Sequence, residues 1–265
     1  MRRADRIRES FSWLWFGFGM LYFFLPLVAT FLFSLKGRKG ILSFAAYGNV
    51  LADPQFLKTF LFSLEMAAFT IIVGLVLIVP TAIWIHLKLP KAKGLMEALS
   101  LMPFVIPPIV LAFGLIKTYS KPPFALVSSP ALLVAGYVVV SFPYMYRTID
   151  AGLRAIDLPL LTEAAQSLGA RWTTVLFRVA LPGMRPSILS AVFLCFATVI
   201  GELTLAVILA WPAFGPYMAL VGRDLAYEPA ALSIMSFALT WGSIGLMQFI
   251  SNRSHARRVR RPRVP

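Results

Sequence analysis

Residues 157–187 read DLPLLTEAAQSLGARWTTVLFRVALPGMRPS. Asp157 is an N-cap residue by type, and Pro159 suits a first helical turn. Leu161, Ala164, Ala165 and Leu168 fall at i, i+3, i+4 and i+7, which places them on one small-residue helical face. Gly169 supplies a natural stop. A second short helix is expected from Arg171, with Trp172, Val175, Leu176 and Val179 on one face, ended by Leu181-Pro182-Gly183. The stretch therefore predicts two short helices around a glycine elbow. On periodicity alone, such a pair either lies on lipid headgroups or fits a groove on a soluble partner. Small alanines favour the groove, because they allow close approach.

What flanks this stretch is apolar on both sides. The 265-residue chain is 59% hydrophobic and only 14% charged, against about 25% charged in soluble domains. Mean hydropathy is +0.79. A soluble globule cannot hide that surface, so the bilayer is the solvent. A helix needs about 20 apolar residues to cross it. Six runs qualify: Trp13–Leu35, Thr59–Leu87, Glu97–Tyr119, Ala125–Tyr146, Ser187–Trp211 and Ala230–Ile250. The expected fold is all-α, with six transmembrane helices. The first run has arginines before it but is too long for a signal peptide and lacks a small-residue cleavage site, so it is read as a retained helix.

Charge sets the orientation. Arg2, Arg3, Arg6 and Arg8 precede the first span, and Arg253, Arg257, Arg258, Arg260, Arg261 and Arg263 follow the last. With both termini inside, these join Lys88, Lys91 and Lys93 and five arginines of the 147–186 loop. Eighteen of the 25 Lys and Arg then face the cytoplasm, leaving seven outside. That asymmetry is the positive-inside pattern. It makes the basic ends topology determinants that contact anionic lipid, and no nucleic acid is expected despite a net charge of +14. The organisation read from this is a cytoplasmic N-tail over 1–12, a membrane domain over 13–250 with its inner loop at 147–186, and a basic cytoplasmic tail over 251–265. No internal repeat and no appended soluble domain are visible.

Enzyme readings find little support. Cys195 is the only cysteine, and the two histidines are His86 at a span end and His255 in the tail. No catalytic dyad and no metal-ligand cluster is expected. A secondary transporter would favour an inverted repeat with paired ionisable groups, and none is evident.

Glu163-Ala164-Ala165, three residues, Gly169, nine residues, Val179, one residue, Leu181-Pro182 resembles the EAA loop of binding-protein-dependent ABC importer permeases. Val179 stands where that family often has Ile. Met102-Pro103 with Ile106-Pro107-Pro108, and Phe142-Pro143-Tyr144 with Arg147, are similar to further motifs of the family. Gly201-Glu202-Leu203-Thr204 resembles the branch serving polyamines, ferric iron, phosphonates and related solutes. The resemblance implies a type I (MetI-like) importer fold in a bacterial inner membrane. It implies a second permease subunit, identical or different, two cytoplasmic ABC ATPase subunits and an external solute-binding protein. It also implies ATPase coupling through Glu163, Ala164, Ala165, Gly169, Ala170, Leu181 and Pro182. The chain lacks a G-x-x-x-x-G-K-[ST] loop, so ATP and Mg are expected on the partner subunits, with no cofactor held here.

Two carboxylates fall inside spans. Glu65 lies about two turns from an outer boundary and Glu202 ~15 residues into the fifth span, at 1.5 Å per residue about 20 Å from the inner loop. Intramembrane carboxylates are costly unless paired or wet. Each has a plain reading, Glu65 reaching interfacial water and Glu202 hydrogen-bonding or packing between helices. The functional reading is a cation path lined by Glu202 and Glu65, with Tyr137, Tyr144 and Trp241 offering ring faces. That reading and the branch resemblance favour a polyamine-like solute, with ferric iron, aminoethylphosphonate and sulfate-like anions open.

Overall fold

A computed structural model describes residues 2–36, 42–123 and 125–259, with side chains described from 11 to 242 within those ranges and at 245. The basic side chains of both ends, and Arg38 and Lys39, lie outside the described residues. Among the described residues the secondary structure is helical apart from one isolated bridge, Lys36 with Leu42. In chain order the helices are α1 (Arg2–Ser34), α2 (Ala45–Ala52), α3 (Pro54–Lys88), α4 (Lys93–Val105) and α5 (Pro108–Tyr119). Then come α6 (Pro130–Ala155), α7 (Leu158–Ser167), α8 (Trp172–Thr174), α9 (Leu181–Gly183) and α10 (Arg185–Ile200). The chain continues with α11 (Thr204–Ile208), α12 (Phe214–Asp224) and α13 (Glu228–Val259).

Two compact units divide these elements. One joins residues 1–57 with 218–239. Within it the Ser34 and Tyr47 hydroxyls are 2.7 Å apart and the Asn49 amide donates to Glu228 at 3.0 Å. The Phe33 and Tyr227 rings lie 5.1 Å apart. The aromatic-rich stretch Phe11–Ser34 buries none of its most apolar window, as suits a helix solvated by lipid tails.

The other unit joins residues 58–217 with 240–265 and holds the main core. Ile83, Leu132, Leu133, Met145, Ile149 and Leu153 are fully buried there. Ser129 opens α6 by accepting from the Ala131 N–H at 3.2 Å, with Pro130 at the first turn. α6 passes close to α10: a Cβ on Gly152 would meet the Ser187 Oγ at 2.2 Å.

Three stretches are long and apolar enough to cross a membrane as single helices: Phe11–Ser34, Pro54–Lys88 and Pro130–Ala155. Counting each sharply bent pair as one span gives up to five. The predicted sixth span lies along α13, whose side chains are described only in part.

The third predicted span is broken at its prolines. α4 and α5 meet at a 98° bend. Ile106 (ψ 113°) and Pro107 (ψ 139°) are extended because each precedes a proline, and neither proline has an N–H to continue the ladder. The fifth span is also broken. α10 stops at Ile200, and Gly201-Glu202-Leu203 separates it from α11. The fourth span is extended: α6 continues past Tyr146 to Ala155 and carries Arg147, Asp150 and Arg154 on helix.

Candidate functional site

The elbow forms as the residues dictate. α7 ends with Gly169 at φ +81°, where the Gly169 N–H donates to the Gln166 carbonyl at 2.8 Å and the Ala170 N–H to the Ala165 carbonyl at 3.0 Å. This 5→2 and 6→1 pair is a Schellman cap, which requires a left-handed residue at this position. A Cβ on Gly169 would meet nothing within 4 Å, so backbone conformation alone demands glycine here. At the other end the expectation is corrected: Asp157 holds the N-cap position but is itself left-handed (φ 43°), and its side chain caps nothing. Pro159 sits in the first turn as expected.

α7 is anchored by one side only. Leu158 and Thr162 are buried, while Glu163, Ala164 and Leu161 are exposed and Ala165 is half-buried. Leu168 is 89% exposed. The small-residue face is thus bare, with large apolar side chains beside it. In the second limb Val175 and Ala180 are buried, and Trp172, Leu176, Val179, Leu181 and Pro182 are half-buried. That limb is wound with a π-helical stretch, Val175–Ala180. The residues named from the motif therefore divide: Glu163 and Ala164 form the outer surface with Ala165 at its edge, Gly169 and Ala170 the elbow, and Leu181 and Pro182 the base.

Near the end of α6, just before α7, lies a charge cluster. The Asp150 carboxylate, nearly buried, is 2.7 Å from His86 Nε2 and accepts from Arg154 Nε at 2.8 Å. Arg154 also pairs with Glu97. A cavity of about 480 Å³ opens beside them, lined by Ser100, Tyr146 and Arg147 as well. Sequence reading singled out neither Asp150 nor its partners; an acid four residues before an arginine on one helix was the only available signal.

The four path candidates sit on separate elements. Glu202, in the break before α11, gives its carboxylate to backbone donors. Oε1 accepts from the Thr204 and Leu205 N–H groups at 2.9 and 3.1 Å, and Oε2 from Leu205 and Ala206 at 3.0 and 3.4 Å. The carboxylate caps a helix, which accounts for its burial without a counter-ion. Gly215 backs onto this break, where a Cβ would come within 2.6 Å of the Glu202 carbonyl oxygen.

Glu65 is exposed on α3, at an apolar groove of about 610 Å³ formed with α6 and lined by Phe69, Val73, Leu77 and Val134. Tyr144 is exposed, its ring edge-on to Phe104 at 5.3 Å. Trp241 is exposed on α13. Tyr137 is buried. The groove that holds Glu65 contains none of Tyr144, Glu202 and Trp241. Among the described residues, no group of three or more His, Cys, Asp or Glu could hold a metal ion.

Residues 78–261 match the family described as the binding-protein-dependent transport system inner membrane component. The chain is 28% identical over 194 residues to a molybdate/tungstate transport system permease protein of Pyrococcus abyssi, covering 73% of this chain and 74% of that one. It is 31% identical over 210 residues to a probable sulfate transport system permease protein of Chlorokybus atmophyticus, covering 75% and 72%. It is 29% identical over 167 residues to the spermidine/putrescine transport system permease protein of Escherichia coli, covering 57% and 60%. Among solved structures, it resembles a chain of a bacterial alginate ABC transporter in complex with an alginate pentasaccharide-bound periplasmic protein. That likeness has a TM-score of 0.69 at 16% identity, over 96% of this chain and 98% of that one, and shows the fold alone.

Proposed function

The chain belongs to the family of binding-protein-dependent transport system inner membrane components and is an ABC importer permease subunit, and we propose that α7 is the helix through which ATPase subunits drive it. The observation that carries this reading is the bare surface of Leu161, Glu163 and Ala164, with Ala165 half-buried at its edge, on a helix whose buried side chains are Leu158 and Thr162. A short helix with small residues outward and a rigid cap at its end is suited to a groove on a soluble partner.

The family implies ATPase and binding-protein partners. The assembly we propose has two ATPases, which bind ATP and Mg, and this chain with a second permease between them and an external binding protein. This chain performs no chemistry of its own. Closure of the ATPases on ATP pushes α7, and the spans move between inward- and outward-facing states as packed bodies.

The multi-pass chain is proposed to place both termini and the α7 loop in the cytoplasm. This orientation has a direct check in a Cys195→Ser background. Gly48→Cys, exposed and with open space at its Cβ, is expected to react with an impermeant thiol reagent in intact cells. Ala92→Cys, Ser10→Cys and Ser254→Cys are expected to react only after permeabilisation. Labelling of Ala92→Cys from outside would break the topology.

The proposed solute is a small polyamine-like cation. Glu65 supports it, as an exposed carboxylate in an otherwise apolar groove, and so does the spermidine/putrescine relative. An oxyanion is the second reading, favoured by the molybdate/tungstate and sulfate relatives, which align over more of the chain. ATP-driven uptake of labelled putrescine by the assembled complex in proteoliposomes decides between them. Putrescine uptake that unlabelled spermidine inhibits and molybdate and sulfate do not is expected. Uptake of labelled molybdate or sulfate, with none of putrescine, would replace the cation with an oxyanion.

A further inference from the structure

Arg154 stands four residues before Leu158, the first buried residue of α7, and its guanidinium meets two carboxylates from two helices. One is Asp150, on its own helix α6. The other is Glu97, on α4. Asp150 in turn reaches His86, near the end of α3, at 2.7 Å. The same end of α6 is clamped to the start of α10. Gly152 approaches Ser187 so closely that a Cβ would overlap it, and a Cβ on Gly183 would touch Ile156 at 3.2 Å. Between Arg154 and Leu158 the chain turns through Asp157 in a left-handed conformation. Aspartate is one of the few non-glycine residues that enter this region readily. Leu158 is then fully buried. The root of α7 is thus tied to α3, α4, α6 and α10 within a few residues.

An exposed ion pair such as Arg154 with Glu97 adds little stability by itself. Removing a partner from a nearly buried carboxylate such as Asp150 is costly. What the cluster does that packing cannot is restrict direction, because a forked guanidinium holds its carboxylates at fixed angles. We propose that His86, Glu97, Asp150 and Arg154 form the joint that transmits motion of α7 to the spans, with Asp150 and Arg154 as positioning residues. The proposal rests on the reading of α7 as the ATPase-docking helix.

The test uses the purified complex of this chain, its second permease and its ATPases, with Cys195→Ser and spin labels at two exposed positions, Gln166 on α7 and Lys91 between α3 and α4. Distances are compared between nucleotide-free and ATP–vanadate states. With the joint intact, the two positions move together and the distance is expected to hold between states. In Arg154→Gln, and in Glu97→Gln, whose side chain is half exposed and tolerates change, α7 moves without α4. The distance is then expected to shift by on the order of 2 Å or more, the size of helix displacements in such transitions.

Co-purification of the ATPases separates the two claims. A distance that holds in both variants, with ATPases bound, would overturn the joint and leave docking intact. Absence of ATPases from the unsubstituted complex would overturn the docking reading, and the joint with it. Should Arg154→Gln fail to assemble, Glu97→Gln still gives one of these answers.

Discussion

Gly169→Asp is expected to abolish ATP-driven uptake while the permease still inserts at normal abundance. Gly169 sits at φ +81° and its N–H and that of Ala170 close the end of α7. A residue with a Cβ pays roughly 1–2 kcal/mol to remain left-handed. That penalty is small against the stability of a membrane bundle, and open space surrounds the position. The fold therefore survives. What is lost is the cap. Once it relaxes, the last turn of α7 frays, and Ala164, Ala165 and Leu168 leave the single face that a groove reads. The new carboxylate also stands at a helix C-terminus, where negative charge is unfavourable. Uptake and membrane abundance, measured on the same vesicles, check this. Gly169→Ala, with a backbone penalty at least as large and no charge, is expected to retain partial uptake. Normal uptake by Gly169→Asp would remove the lever.

Glu202→Leu is expected to have the second-largest effect, and on assembly before transport. The carboxylate satisfies three backbone N–H groups at the start of α11. Leucine takes the acceptor from all three, two of which are buried, at about 1–3 kcal/mol for each buried unsatisfied donor. Gly215 packs against the same backbone, so relaxation there is blocked by α12. A sharp fall in folded permease is expected. Glu202→Gln keeps one acceptor oxygen and turns an amide N–H₂ toward the donors, so an intermediate loss is expected. The readout is the yield of monodisperse permease after detergent extraction, followed by uptake per assembled complex. If Glu202→Gln assembles normally and has lost uptake, the carboxylate acts on the solute and the capping account is incomplete.

The contrast between these residues shows what sequence reading reaches. The α7 elbow was legible because its causes are local: a proline at the start, a 3.6-residue face, and a glycine where a left-handed residue is needed. The two helix breaks were not. Apolar residues dominate on both sides of Ile106–Pro108 and Gly201–Leu203, so a window that averages over them joins what the backbone separates. Prolines at 107 and 108 rule out a straight helix there, and a 98° bend depends on two consecutive residues being extended. At Glu202 an intramembrane carboxylate suggested a path, because nothing in the pattern revealed that a second helix begins two residues later. The pairing of His86 with Asp150 bridges 64 residues, a contact that only the packing of α3 against α6 creates. Orientation and solute class rest on charge distribution and on relatives, and the fold adds to them only the exposed Glu65.

The central claim is that the bare face of α7 docks on an ATPase, and a photo-crosslinker at Leu168, the most exposed large apolar side chain of the loop, measures it directly. Irradiation of intact membranes should yield one major adduct whose partner, identified by mass spectrometry, carries a G-x-x-x-x-G-K-[ST] loop. Gly169→Asp should abolish that adduct. An adduct with lipid alone, unchanged by Gly169→Asp, would contradict the account and place α7 on the headgroups.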